Sequence, residues 1–374
     1  MSVFRADYSA LDRTLHRFAL GGLGLQKMMA EVEDDLYARK LRGIELAKPV
    51  FITSLPRAGT TLLLNVLSQL PGFATHSYRN MPFLLCPLIW DSVTRRFRKQ
   101  SALRERAHGD GMTVGFDSPE AFEEVVWKAF WPGKYHERSI EIWRAEERSA
   151  EFEDFLRSHM RKILLLKLGT SGAAGGAGTG RYISKNNANI ARLDLLPRLF
   201  PDCRIVVPFR NPRDHVASLL RQHRNFLQMH ADDPFAADYM ASIGHHDFGA
   251  GLKPIDFDGW LSGEVAEPSD PSGDPLRPAF WLRYWIAGFR FLSGHVNASV
   301  VLLDYDALCR DPEPGITRLL QAIDCDTGSA STLASQFRAP TAYEGPDLDV
   351  DAVLLEQAQT LHRELAAAAL KAES

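Results

Sequence analysis

The sequence of 374 residues is poor in cysteine and carries little net charge. Its four cysteines are far apart and form no CxxC or Cys/His spacing, which excludes a disulfide framework or zinc site and is typical of a reducing compartment. The net charge of −4 excludes a global basic field for nucleic acid. An anionic ligand would therefore need a local cluster of basic groups.

Long apolar runs are also missing. The longest apolar stretch near the start, FALGGLGLQ, is too short and too rich in glycine to span a bilayer. The residues after Met1 contain no apolar signal core. We therefore expect a cytoplasmic protein without a transmembrane segment, and the sequence gives no indication of its oligomeric state.

The order of strand and helix patterns predicts an α/β fold with a central parallel sheet, helices on both faces and helical insertions. Its opening unit is KPVFITSL followed by TTLLLNVLSQL, a strand, a loop and a helix. Further strands are predicted for FATH at 73–76, KILLLKL at 162–168, RYISK at 181–185, CRIVVPF at 203–209 and ASVVLLDYDAL at 298–308. Helices are predicted for ANIARLDLLPRLF, RDHVASLLRQHRNF and AFWLRYWIAGFRFLSGHV, with GITRLLQAI as the last packed helix.

Composition divides the chain into three parts. Residues 1–47 form one or two amphipathic helices interrupted at Gly21-Gly22, residues 48–330 form the α/β domain, and residues 331–374 form a C-terminal loop and helix. Insertions are predicted at 91–160, which is charged and helical, and at 228–278, which resembles a lid. The Gly/Ala stretch at 169–180 is interpreted as a loop.

A loop with the position of a phosphate-binding loop follows the first strand. Residues 54–61, SLPRAGTT, differ from the Walker pattern because Thr60 stands where the lysine for a triphosphate belongs. Amides at the start of the following helix still suit an anion, since the helix dipole favours negative charge there. Arg57 adds a cation to this loop.

A second candidate anion site follows the strand CRIVVPF. Arg210 stands at its carboxyl end and Ser218 eight residues later in the next helix. A guanidinium offers a planar fork for a phosphate, and the hydroxyl adds a donor.

These two motifs resemble those of the sulfotransferases that use 3'-phosphoadenosine-5'-phosphosulfate (PAPS), whose phosphosulfate loop reads PK/RxGTT. The resemblance implies the P-loop-like sulfotransferase fold, PAPS as cosubstrate without a metal, and transfer of a sulfuryl group to a hydroxyl or amine of a small molecule, lipid or glycan. It implies that Lys185 lies near the transferred group and that Arg210 and Ser218 bind the 3'-phosphate. The implied phosphosulfate loop consists of Pro56, Arg57, Ala58, Gly59, Thr60 and Thr61. LLDYDALCRDP at 302–312 is similar to a late segment of the family and is interpreted as structural.

The general base of these enzymes has no counterpart in the sequence. Asn187 stands where cytosolic members have a histidine, and Ser77 stands where tyrosine sulfotransferases have a glutamate. His76 is the nearest substitute, because it ends a predicted strand and an imidazole titrates near neutral pH. Asp110, in a glycine-flanked loop, is the second candidate for the base.

Two other groups of polar residues have a predicted role. The cluster His245-His246-Asp247 is predicted to line an acceptor pocket or a weak metal site, and no third ligand at helical spacing supports the metal. Glu120, Glu123 and Glu124 are expected to cap and solvate a helix that begins near Ser118-Pro119.

Two other functions remain open from the sequence. One is a P-loop-type kinase of a small metabolite, disfavoured by Thr60 and by the pair Arg210/Ser218. The other is a non-catalytic nucleotide-binding protein on the same fold, and the absence of the family's general base supports this alternative.

Overall fold

The computed structural model describes residues 10–95, 104–105, 113–114, 118–170, 178–263, 273–339 and 348–370. The helices in these ranges are α1 (Ala10–Gly21), α2 (Leu23–Arg42), α3 (Thr60–Leu67), α4 (Pro87–Thr94), α5 (Glu124–Phe130), α6 (Ala150–Thr170), α7 (Leu195–Leu199), α8 (Pro212–Asp232), α9 (Pro234–Ser242), α10 (Trp260–Gly263), α11 (Pro278–Gly294), α12 (Tyr305–Arg310), α13 (Pro312–Ala322), α14 (Ala330–Ala334) and α15 (Ala352–Ala368). The strands are β1 (Ile44–Leu46), β2 (Val50–Ile52), β3 (Phe73–Ala74), β4 (Arg104–Glu105), β5 (Thr113–Val114), β6 (Gly178–Lys185), β7 (Arg204–Phe209) and β8 (Val300–Asp304).

The main sheet is parallel throughout, as predicted. Its strand order is β1-β6-β2-β7-β8, and β3 also pairs with β6. The N-terminal segment therefore contributes the strand β1 in addition to its two helices. The strands β4 and β5 form a separate antiparallel pair.

Helices cover both faces of this sheet because its central strands are apolar on both sides. Along β7, Ile205, Val207 and Phe209 join the larger hydrophobic cluster, which contains residues of α6, α8, α11 and α15. Val206 points the other way, into a cluster with residues of α3, α13 and α14. The predicted fold class is thus confirmed.

The prediction of a strand at 162–168 was wrong. These residues continue α6, which starts twelve residues earlier at Ala150. The buried residues of α6 recur at helical spacing, and a short apolar run taken alone does not separate a buried helix from a buried strand. Among them are Phe152, Leu156, Met160, Ile163 and Leu164.

The ends of the chain pack against this core. Helix α1 ends at Gly21 and α2 starts at Leu23, which confirms the predicted break. The expectation that α13 is the last packed helix was wrong, because α15 contacts α8, α11 and β8. None of the helices in the described ranges has the length and apolar content needed to cross a bilayer.

Candidate functional site

The site lies at the edge of the sheet where the parallel strands end. Ile52, at the end of β2, is in register with Lys185, at the end of β6. Phe209 of β7 is in register with Asp304 of β8. Open α/β sheets bind ligands beyond the carboxyl ends of their strands, so the loops after these residues form the candidate site.

The loop between β2 and α3 has a backbone that only a few residues adopt easily. Arg57 and Gly59 have positive φ angles of 71° and 90°. The ring of Tyr305 packs directly on Gly59, and a Cβ at this position would lie 2.2 Å from a ring carbon. Glycine is therefore required here both by the backbone angle and by the close approach of the ring. The following helix begins at Thr60, so its first amides point out of the helix towards the loop.

His215 of α8 is hydrogen-bonded to the backbone of this loop. Its Nε2 lies 2.8 Å from the carbonyl oxygen of Pro56, and its Nδ1 accepts a hydrogen bond of 3.2 Å from the indole N–H of Trp285. Because Nδ1 is the acceptor, Nε2 carries the proton and donates to Pro56. Burial lowers the pKa of His215 to about 3, so the ring is neutral at physiological pH.

The second motif starts α8. Asn211 caps this helix by accepting from the amide of Arg213, and Pro212 occupies its first position, as is typical of helix starts. Asp306 accepts from the backbone N–H of Asn211 at 2.7 Å and from Nε of Arg210 at 3.2 Å. The carboxylate thus fixes the guanidinium at the end of β7.

The two motifs meet. Nη1 of Arg210 donates to the carbonyl oxygen of Arg57 at 3.4 Å, and Nε of Arg57 lies 3.4 Å from Oγ of Ser218. The side chain of Arg210 is only 15% exposed, so its charge is partly shielded from water. Two guanidinium groups from separate turns are therefore concentrated at one place, in a chain that is acidic overall.

A pocket adjoins the loop on the side of β6. Asn187 links the two, because Thr60 Oγ1 lies 3.4 Å from its Oδ1, while its Nδ2 donates to Asp247 at 2.8 Å. Lys185, only 8% exposed, lines the same pocket. The other residues that line it are Ala121, Glu124, Ile140, Asn186, Ala188, Gly244, His245, His246, Lys253, Ile255 and Tyr284.

His76 has a different environment from the one expected of a base. It is 1% exposed, its Nε2 lies 2.8 Å from Nε2 of His159, and its Nδ1 lies 3.3 Å from the hydroxyl of Tyr182. Burial lowers its pKa to about 4. Both ring nitrogens thus face buried side chains, which favours a packing role. The second candidate for the base, Asp110, lies outside the described residues.

The three glutamates before and within α5 correct another expectation. Glu120, Glu123 and Glu124 are 7%, 1% and 2% exposed, so the prediction of a solvated face was wrong. Glu124 accepts hydrogen bonds from both terminal nitrogens of Arg192 at 2.8 and 2.9 Å. Glu120 accepts from the hydroxyl of Tyr78 at 2.6 Å and Glu123 from that of Tyr182 at 3.0 Å, so each buried carboxylate has hydrogen-bond partners.

Several residues of the site carried no readable sequence signal. His215 lies within the predicted helix. Asn187 was considered only because cytosolic members of the family have a histidine at its position. Tyr305 and Asp306 lie in the segment LLDYDALCRDP, whose resemblance to the family gave the one available hint. Among the described residues, no group of three or more possible ligands could hold a metal ion.

Comparisons with known proteins give one family match and similarity to several solved structures. The model of the Sulfotransferase family matches residues 49–246, from the start of β2 to the pocket. A comparison with curated proteins gave no match. The chain is similar to sulfotransferase STF1 from Mycobacterium tuberculosis H37Rv, with 15% identity and a TM-score of 0.46 over 97% of this chain and 88% of the other. For sulfotransferase STF9 from Mycobacterium avium the values are 14%, 0.46, 96% and 83%.

The family match covers more than half of the chain and includes both candidate anion-binding motifs. The chain therefore belongs to the sulfotransferase family.

Proposed function

We propose that the protein transfers a sulfuryl group from PAPS to a hydroxyl, or amine, of an acceptor. The observation that supports this most is the convergence of the two motifs, in which Arg210 contacts the loop carbonyl of Arg57 and Arg57 contacts Ser218. PAPS carries anions at its 5' and 3' positions, which matches two neighbouring basic turns. A triphosphate would call for the loop lysine that Thr60 replaces.

Each part of the site has a role in this proposal. The amides at the start of α3 and Arg57 bind the 5'-phosphosulfate, with the helix dipole favouring the negative charge. Arg210 and Ser218 bind the 3'-phosphate by hydrogen bonds to its oxygens. Asp306 holds Arg210 in the orientation that this contact needs.

The chemistry is an in-line displacement at sulfur in which negative charge grows on the departing 5'-phosphate. Positioned donors that act on this charge are the main source of rate. Lys185 and Arg57 supply the cations, and the loop amides supply the dipoles. Burial of Lys185 strengthens its interaction because little water screens it.

Thermal shift with adenosine 3',5'-bisphosphate, the product left by PAPS, tests the donor directly against ATP with magnesium. We expect the bisphosphate to raise the melting temperature more, because a ligand that binds only the folded state stabilises it. Greater stabilisation by ATP with magnesium would favour the kinase interpretation instead.

Replacement of Arg210 by alanine should weaken binding of the bisphosphate by about 1.5–3 kcal/mol, the usual worth of a hydrogen bond to a charged group. Isothermal titration calorimetry measures this change. Arg363→Ala is the matched control, because Arg363 is 62% exposed on α15 and pairs with Glu356 of the same helix. Equal affinities of the two variants would remove Arg210 from the site.

Turnover separates the enzyme from a non-catalytic binding protein. We expect transfer of labelled sulfate from PAPS to at least one member of a panel of phenols, alcohols, sugars and amines. Tight binding of PAPS without transfer to any acceptor would favour the non-catalytic alternative.

A further inference from the structure

The pocket beside the loop contains a histidine that has the surroundings of a general base. His245 lines the pocket together with Lys185, Asn187 and Asp247. Asn187 stands where cytosolic members of the family have a histidine, and its amide group cannot take up a proton. The same pocket contains the imidazole of His245.

A tight turn after α9 brings His245 to this place. The backbone N–H of His245 donates to the carbonyl of Met240 at 2.9 Å and closes the end of the helix. Gly244 has a φ of 81°, and a Cβ there would lie 2.5 Å from Cγ of Glu124. The turn therefore packs directly on α5, and the buried Glu124 holds it in position.

The neighbours of His245 define its protonation. Burial lowers its pKa, the charge of Lys185 lowers it further, and Glu120, Asp247 and a hydrogen bond to the backbone of Ala121 act in the opposite direction. Because this pKa lies below 6.5, the ring is neutral at physiological pH and one of its nitrogens can accept a proton.

We infer that His245 is the general base that takes the proton from the acceptor during sulfuryl transfer, with Asn187 and Asp247 as positioning residues. The inference rests on the proposed function. As the acceptor oxygen forms its bond to sulfur, its proton passes to an imidazole nitrogen of His245. The bond between sulfur and the 5'-phosphate oxygen breaks, and adenosine 3',5'-bisphosphate leaves with the electron pair. The imidazolium then returns its proton to water.

The neighbouring histidine is less suited to this role. Nδ1 of His246 lies 3.2 Å from the carbonyl oxygen of Gly251, and its ring packs against Tyr135 with 6.2 Å between ring centroids. Its contacts fit a residue that holds the turn.

The test compares His245→Gln with Asp247→Asn and with His136→Gln, whose side chain is 54% exposed and pairs with Glu141 away from the pocket. Calorimetry with adenosine 3',5'-bisphosphate first establishes that each variant keeps its donor site. Transfer of labelled sulfate from PAPS is then measured to water, an aliphatic alcohol, phenol and p-nitrophenol in mildly alkaline buffer. Water is included because it is present in every assay and can itself accept the sulfuryl group.

We expect His245→Gln to slow transfer to water, alcohol and phenol by about 10²–10⁴-fold, the usual contribution of a general base. The loss with p-nitrophenol should be much smaller, because this acceptor is largely ionised without help. A residue that only supports the structure would slow all acceptors equally. His136→Gln should match the wild type.

Two failures are distinguishable. If the wild-type protein does not bind the bisphosphate, the proposed function itself is overturned. If the wild type binds and transfers but His245→Gln transfers equally fast, or slows p-nitrophenol as much as phenol, only the base assignment is overturned. A loss confined to Asp247→Asn would likewise reject His245.

Discussion

At the scale of single residues, the proposed donor site depends on contacts between segments that are distant in sequence. Its proposed ligand-binding residues could be predicted from two short motifs, because each motif lies within one short stretch of sequence. The residues that hold them do not: His215 supports Pro56, and Asp306 orients Arg210 across 96 positions. Such supports depend on how helices pack on the sheet, and no local pattern encodes that packing.

The close approach of Tyr305 to Gly59 gives a prediction. Gly59→Ala should lower the free energy of unfolding by about 1–3 kcal/mol, because a strained backbone angle adds to the steric conflict with the ring. It should also weaken binding of adenosine 3',5'-bisphosphate, since the loop amides shift. Urea unfolding and calorimetry measure the two effects.

Gly294→Ala is the control for this substitution. A Cβ at Gly294 meets no atom within 4 Å, so its stability should stay near that of the wild type. Equal stabilities of the two alanine variants would contradict the account of the loop.

At the scale of elements, the sequence predicted the strands that carry the site and misassigned one helix. The strands β2 and β7 are short, apolar and bounded by turn residues, so their pattern is unambiguous. The run 162–168 is equally apolar, but it belongs to a helix that buries Lys162 against Glu33 of α2 at 3.1 Å. That ion pair joins two helices that are distant in sequence, so it cannot be predicted from the residues of one segment alone.

A second buried ion pair fastens α5 to the turn after β6, and it yields an element-scale prediction. Arg192 lies between Trp127 and Trp143, 4.0 Å from each ring centroid, and bonds Glu124 through both terminal nitrogens. Arg192→Met should cost about 3–5 kcal/mol of unfolding free energy, because it leaves a buried carboxylate without its counter-charge.

The double variant Glu124→Leu/Arg192→Met provides the matched comparison. It removes both charges, so it should be more stable than Arg192→Met alone, as measured by urea unfolding. A double variant that loses the sum of both single effects would show that the two side chains act independently.

At the scale of the whole molecule, buried histidines make stability depend on pH. Burial lowers the pKa of His76 from 6.5 to about 4 and is also the main cause of the lowered pKa of His159. Between pH 6.5 and 4 the unfolded chain binds protons that the folded chain does not. The contribution of these histidines to the unfolding free energy is therefore complete above pH 6.5 and is lost as the pH falls.

We expect the unfolding free energy to fall by about 1.4 kcal/mol per pH unit for each such histidine across that window. Urea unfolding at a series of pH values measures the slope. His76→Phe should make the slope shallower, because it removes one of the titrating groups. An unchanged slope would assign the pH dependence to other residues.

The side chain of Asn187 touches Thr60 at the donor loop and Asp247 in the adjoining pocket. A ligand that moves this amide from one end also alters what the other end offers its own ligand. Coupling of this kind is reciprocal. If a bound nucleotide changes the affinity for the acceptor by a given factor, a bound acceptor changes the affinity for the nucleotide by the same factor. The affinity for each substrate should accordingly depend on whether the other is bound. Asn187→Ala should reduce this dependence, while each substrate alone still binds with an affinity that can be measured.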